Sequence, residues 1–376
     1  MTARRPFLAR MRPGGGLACC AFALAALAGP AHAAESAEAI AHRLQTGDYL
    51  GALRGSETAV QAAPSDEALN LLRVRSLLTV GRYPDASTAV EQALAQAPQS
   101  IGLRWIGREA ALANGHPEVA ARLTDEIRQL VSARPWLYRD PVNLVTFGRV
   151  ALLLGADPKD VLDKILATAQ KADPKLRDVY LAKGDLALEK HDFDLAAKAY
   201  QEGAKQFPDD PDFHFGLARS FAEGDRTAML AELEAALKLN PRHVPSLLLQ
   251  ADYRIDSEDY EGAEKLLDQV KAVNPWEPDA WAYRAVIAHL ENEPATEGVM
   301  RSNALHFAPA NPRVDWLIGK KLAEKYRFAE AEAAERQALR FDPDYLPAKV
   351  ERANDLLRLG REAEGWQLAQ DVHQIG

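Results

Sequence analysis

The sequence predicts an all-α fold, an α-solenoid of stacked helix–turn–helix hairpins. Three observations carry this. Prolines return at a near-constant interval, and small residues recur at fixed places between them. The composition is visibly rich in alanine and holds only 7% aromatic residues, a balance that suits closely packed helices better than strands. With 376 residues, 47% hydrophobic and 26% charged, the chain is ordinary for a soluble folded protein. It is long enough for two or three compact domains or one extended array.

Residues 1–33 are a different kind of sequence. Arg4, Arg5, Arg10 and Arg12 form a positive start with no acidic residue. The apolar run at 17–29 is too short to span a bilayer as a permanent helix, and the small residues of "AHA" at 31–33 fit a leader-peptidase site. This pattern predicts a cleavable secretory signal peptide with the cut after Ala33, and hence a periplasmic or secreted protein. "RRPFL" at 4–8 also resembles the twin-arginine export motif, although the arginines would serve any leader. Cys19 and Cys20 both fall inside the leader, so the mature chain is expected to lack disulfides and thiolate sites. The full chain has 45 basic and 54 acidic residues; losing four arginines leaves 41 against 54, a net of −13. That charge disfavours nucleic acid and anionic lipid as partners, and no other segment approaches transmembrane length.

From Ala34 on, the repeat organises the chain. Pro64, Pro98, Pro135, Pro174, Pro208, Pro241, Pro275, Pro309 and Pro343 are separated by 34, 37, 39, 34, 33, 34, 34 and 34 residues. With each proline set as position 32, position 8 holds Gly184, Ala218, Ala251, Ala285, Gly319 and Ala353 (the unit around Asp225 is one residue short). Position 20 holds Ala52, Ala86, Ala196, Met229, Ala263, Glu297, Ala331 and Gly365, and position 27 is equally small. Positions 4, 8 and 11 share one face of a first helix, and 20, 24 and 27 one face of a second. Small residues at 8 and 20 let the axes approach closely. A proline after the second helix ends it and turns the chain toward the next unit.

These residues resemble the tetratricopeptide repeat family, whose 34-residue unit has this order of large, small, aromatic, alanine and proline positions. "YLAKGDLALEKHDFDLAAKAYQEGAKQFP" (180–208) is the clearest match. Residues 177–376 fit the pattern well, 36–98 fairly and 99–173 loosely; Arg301 and Glu335 depart from the usual apolar residue at position 24, which puts local packing there in question. The resemblance implies a right-handed superhelix of about ten hairpins over 34–376, one array with a joint in 99–173 around "SARPWLYRDP" (132–141).

No catalytic constellation is recognisable in 34–376. No histidine is followed by glutamate, so zinc-protease motifs are absent, and no GxSxG, kinase or phosphate-cradling motif occurs. His289 and Glu293, four apart on a helix, read as a surface pair. Trp281, in "NPWEPDAWAYRA" (274–285), occupies its repeat's packing position and reads as core. The expectation is a non-enzyme with no cofactor and no metal.

A solenoid does offer a groove. The resemblance places its lining on the first helix of each unit, at positions 2, 5, 9, 12 and 13. The candidate groove for a protein or peptide partner is Leu181, Asp185, Phe215, Arg219, Leu248, Asp252, Trp316 and Lys320. It forms an apolar stripe flanked by charges of both signs, without the lysine–asparagine clamp by which family members hold chaperone tails. The expected function is therefore an exported scaffold or adaptor mediating protein–protein interaction in the cell envelope. An alternative follows from a weaker resemblance of 241–376 to the repeat region of exported peptidase MA-like proteins. Under it, this chain would be the recognition arm of a larger enzyme.

Overall fold

Proline and its neighbours decide where each helix of the array stops. The computed structural model describes residues 35–375, and the leader expected at 1–33 lies outside them. Among the described residues, twenty helices pair into ten hairpins, each with a first helix A and a second helix B. Hairpins 1–3 are Ala37–Thr46 with Tyr49–Ala62, Glu67–Thr79 with Tyr83–Gln96, and Ile101–Ala113 with Pro117–Ala133. Hairpin 4 is Pro141–Leu153 with a helix over 158–172, and hairpin 5 is Arg177–Glu189 with Phe193–Gln206. Hairpins 6–8 are Pro211–Phe221 with Arg226–Leu239, Val244–Asp256 with Tyr260–Val273, and Pro278–Leu290 with Pro294–Ala304. Hairpins 9 and 10 are Pro312–Glu324 with Phe328–Phe341 and Leu346–Arg358 with Glu362–Ile375.

At four of the repeat prolines the preceding residue is an extended Asp or Asn, in line with the restriction that a following proline imposes. Asp173, Asn240, Asn274 and Asp342 have φ between −131° and −139° and ψ between 93° and 102°. Each folds its side chain back to accept from the backbone N–H two residues on, at 2.9, 2.9, 3.0 and 2.9 Å respectively. This Asx turn satisfies a loop N–H beyond the end of the helix. Between helices A and B, position 15 takes a left-handed conformation in every hairpin except the sixth, as in Gly81 (φ 75°) or Asn292 (φ 61°).

The stack is held by aromatic rings set against glycines. Fully buried Tyr200 lies between Gly184 of its own hairpin and Gly216 of the next, where an added Cβ would sit 2.4 and 2.5 Å from the ring. Phe213 occupies the same kind of seat on Gly203, at 2.1 Å. The close approach expected at position 8 is thus real, and the aromatic group of helix B fills the space that the small residues leave.

The loosely patterned stretch 99–173 contains hairpins 3 and 4. Its longer proline spacings come from a helix B of 17 residues, Pro117–Ala133, and from a 3-10 turn, Pro135–Tyr138. Buried Tyr138 packs with Ile101, Ile127 and Val150, linking the two hairpins, and its hydroxyl donates to the Gln99 carbonyl at 3.0 Å. Residues 161–166 form a π turn within the second helix of hairpin 4.

The departures at position 24 are accommodated by charge. Arg301 makes a two-point pair with buried Asp315 at 2.5 and 2.7 Å. Glu335 is wholly buried beside Asp355, and burial, then Asp355, Glu351 and Glu332, push its pKa from 4.5 up to about 9. Burial and Glu351 likewise raise Asp355 to about 6. Glu335 therefore keeps its proton at neutral pH and can donate it to Asp355, which satisfies oxygens that otherwise lack a donor.

The array also curls until it touches itself. Tyr49 of hairpin 1 donates to the Arg242 carbonyl at 3.0 Å and accepts from Asn240 Nδ2 at 2.9 Å. Tyr83 of hairpin 2 accepts from Asn274 Nδ2 at 2.8 Å and meets Phe307 edge-on at 5.5 Å. Gly115 of hairpin 3 lies against Phe307 and Ala308.

Two expectations follow. Gly184→Ala should lower stability by up to about 2 kcal/mol net, because overpacking at ~1–3 kcal/mol is set against a helix gain of ~1 kcal/mol; urea denaturation measures this. A raised folded-state pKa makes the Glu335 contribution complete below its unfolded value of 4.5 and lost as pH rises through about 9. Amide protection in hairpins 9 and 10 should fall across that window, and Glu335→Gln should flatten the dependence.

Candidate functional site

In hairpins 5–10, which hold all the candidate residues, helix A starts at position 1, so positions 5 and 9 lie one turn apart on the same face. Hairpins 3 and 4 are counted from the start of helix A, and hairpin 1 from Pro64. The eight residues expected to line a groove are all half-buried or exposed. They are not all free. Arg219 Nη1 pairs with Asp185 Oδ1 at 3.1 Å across hairpins 5 and 6, and Asp185 also accepts from the Tyr200 hydroxyl at 2.8 Å. The Arg219 guanidinium stands 5.8 Å over the Phe215 ring, whose edge meets His243 at 5.8 Å. Leu181 and Leu248 rest partly buried on the cores beneath them. Trp316 is flanked by Arg313 and Lys320, 5.4 and 5.8 Å from its ring, and its indole N–H is buried without an acceptor.

The stripe is interrupted at hairpin 8. Ala282 and Val286, at positions 5 and 9 there, are fully buried. Lys321 of hairpin 9 reaches back across hairpin 8 to Asp252 Oδ1 of hairpin 7 at 2.8 Å, and also pairs with Asp256 and Glu324. Its side chain is 1% exposed. Burial alone would lower its pKa, but the carboxylates of Asp252, Glu324 and Asp256 more than offset this and raise it. Lys325 adds a bond to the Asp256 carbonyl at 2.8 Å. Asp252 is thus engaged by this strap, which separates a lower segment (Leu181, Asp185, Phe215, Arg219, Leu248) from Trp316 and Lys320. Periodicity alone could not reveal the strap, because Lys321 at position 10 points at a residue two repeats away.

One cluster has the order of a hydrolytic triad. His243 Nδ1 is 2.8 Å from Ser246 Oγ and its Nε2 is 2.9 Å from Asp212 Oδ1. Ser246 is 0% exposed in the first turn of its helix, so no substrate carbonyl can reach it. Asp212 is also paired with Arg177; although burial acts the other way, His243 and Arg177 hold its carboxyl well below the usual range. The cluster is a structural lock joining hairpins 5, 6 and 7.

His289 pairs with Glu297 at 3.0 Å, while Glu293, the partner suggested by sequence spacing, sits at the N-terminus of the next helix. Trp281 flanks the core as expected, with Lys271 and Arg284 5.2 and 5.3 Å from its ring. Among the described residues no cluster of His, Cys, Asp and Glu could hold a metal ion, and no helix is long and apolar enough to cross a membrane.

Residues 71–126, 181–241 and 248–297 match the family model described as "Tetratricopeptide repeat". Among solved structures, the chain is similar to the crystal structure of the APC/C hetero-tetramer Cut9–Hcn1, with a TM-score of 0.51 and 14% identity. That match covers 81% of this chain and 58% of the other, so the chain spans less than two thirds of that protein's length. The crystal structure of yeast Tom70 gives a TM-score of 0.49 and 13% identity over 90% of this chain and 84% of that one. No curated protein matches the chain. At these identities the likeness concerns the fold.

Replacing Lys321 by methionine would leave three carboxylates facing one another. Removing one partner of a buried ion pair costs ~3–5 kcal/mol. The carboxylates here keep 25–38% of their side-chain surface, so a loss of about 2–4 kcal/mol is expected. Thermal unfolding should show a smaller loss at low pH, where those carboxylates take up protons.

Proposed function

Because the chain is built from tetratricopeptide repeats, we propose that it is an exported scaffold that holds a segment of a partner protein along its A-helix groove. The observation that carries this reading is the ladder of incompletely buried groups at position 5 and position 9 of hairpins 5–7. Phe215 and Leu248 offer apolar contact, and the Asp185–Arg219 ion pair forms a polar rim beside them. A mixed surface of this kind suits an extended peptide or an amphipathic helix, with the apolar groups as anchors. The net acidity of the chain favours a protein partner over nucleic acid. Beyond hairpin 8, Trp316 with Lys320 makes a second contact point, beside Arg313, whose guanidinium is held by Asp279.

Export is part of the proposal and rests on the leader pattern of residues 1–33. The role is that of a binding module: it supplies positioning, and its specificity comes from which side chains fill the spaces beside Phe215 and Trp316.

The test is one preparation with two readouts. Protein purified from the envelope fraction of its source should have an intact mass of about 38 kDa, the value after loss of 33 residues. A photo-crosslinking residue at Leu181 or Leu248 should give a discrete adduct, and Phe215→Ala with Trp316→Ala should reduce its yield by about tenfold, corresponding to ~1.4 kcal/mol. An uncleaved cytosolic species would overturn the export claim. Adducts unaffected by both alanines would overturn the groove.

A further inference from the structure

The contacts that bring the array back onto itself are in register. Position 15 of hairpins 1, 2 and 3 is Gly47, Gly81 and Gly115; these face Asn240, Asn274 and Ala308, position 31 of hairpins 6, 7 and 8. Each pair is 193 residues apart. Thus the A–B turns of one superhelical turn lie on the B–A loops of the next, over three successive hairpins.

The glycines are explained by this contact more than by their own turns. At the same position His191, Glu258, Asn292 and Tyr326 hold φ of 56–61°, so side chains are tolerated there. A Cβ at Gly47 would lie 2.4 Å from Asn240 Oδ1, at Gly81 2.1 Å from Asn274 Oδ1, and at Gly115 2.9 Å from the Ala308 backbone. The asparagines carry a matching signature. Asp173 and Asp342 form the same Asx turn, which needs only an acceptor. Asn240 and Asn274 use Oδ1 for that turn and Nδ2 to reach Tyr49 and Tyr83. An aspartate could not replace Asn240 here, because the Tyr49 hydroxyl already gives its proton to the Arg242 carbonyl and needs a donor. Gln45 adds a bond to Asp210 at 3.2 Å.

The seam is built differently from the stack. Neighbouring hairpins share continuous apolar clusters, whereas among the described residues no apolar cluster spans the seam. It consists of the hydrogen bonds of Gln45, Tyr49 and Tyr83, the Tyr83–Phe307 edge contact, the Arg242 guanidinium over the Tyr49 ring and the approach of Gly115 to Ala308. It can therefore part while the apolar clusters between neighbouring hairpins stay intact. When closed, it ties hairpins 1–3 to hairpins 6–8 and so obstructs lateral entry of an extended segment between these two stretches.

We propose that this seam is a clasp that closes the groove, and that hairpins 1–3 swing away from hairpins 6–8 to admit a partner segment. The proposal rests on the groove-binding reading for its consequence but not for its mechanics. Opening is a population shift in which the partner binds only the parted state, so loosening the clasp raises apparent affinity.

The test uses Gly81→Asn with Gly115→Asn. Asparagine tolerates the turn, as Asn292 does, and wedges the seam alone. In the full chain, with Cys19 and Cys20 replaced by serine, spin labels at Thr58→Cys and Lys238→Cys report the distance between hairpins 1 and 6. The parent should show a defined short distance; the wedged variant should move most of the population to longer distances with unchanged circular dichroism. Tyr49→Phe with Tyr83→Phe, which keeps both rings, should shift it in the same direction. An unchanged distribution in both variants, or no defined short distance in the parent, overturns the clasp. Crosslinking from Leu248 should increase in the wedged variant; no increase despite a shifted distance overturns gating. Absence of adducts in every variant would instead count against the groove reading, while the distances still decide the clasp.

Discussion

The seat of Tyr200 between Gly184 and Gly216 shows the constraint on which the array depends. A single hairpin of two short helices can bury only one side of itself, and isolated helices of this length are marginal in water. Its outer face must be covered by the next hairpin, and the helices must come close enough for their side chains to interlock. Small residues at positions 8 and 20 permit that approach, and an aromatic ring or a leucine then fills the gap at interior density. Repeating the arrangement propagates one core through the stack, with each hairpin stabilised mainly by its neighbours.

Polar groups then determine what the stack can do with its remaining surface. The interior of the C-terminal half holds ionisable side chains that an apolar core would exclude: Arg301 with Asp315, Glu335 with Asp355, and Lys321 with its carboxylates. Each is matched by a partner or a retained proton, as burial of charge demands. Lys321 also divides the concave face, so the surface open to a partner is two short segments instead of one long stripe. The Ser246–His243–Asp212 chain belongs to the same class. Its bonds hold hairpins 5–7 in place, and the burial of Ser246 separates that geometry from catalysis.

The half-open face of the array is made of side chains carried on rigid A helices, while its loops are free to do other work. In this chain the loops of hairpins 6–8 receive the turns of hairpins 1–3. The half-open A-helix face and the seam thus occupy separate edges of the same repeats, which lets either change without rebuilding the other.

The sequence by itself determined the repeat, its helix boundaries and its packing positions, because these arise within about forty residues and obey helical periodicity. Proline spacing located the loops, and Gly184, Ala251 and Ala331 marked the close approaches that the structure contains. The array and its helical class were legible in this way, including across 99–173, where a longer helix B and a 3-10 turn obscured the pattern. Of the candidate groove, the sequence could indicate which residues sit at positions 5 and 9, but not that Asp252 is taken by Lys321 or that Arg219 is paired with Asp185. The seam left a signal that was not read: glycine at 15 with tyrosine at 17 in the first two full hairpins, and asparagine at 31 in the sixth and seventh. Only the tertiary structure joins the two sets, because superhelical curvature is the sum of small rotations at every interface, and no single repeat encodes where the turn will close.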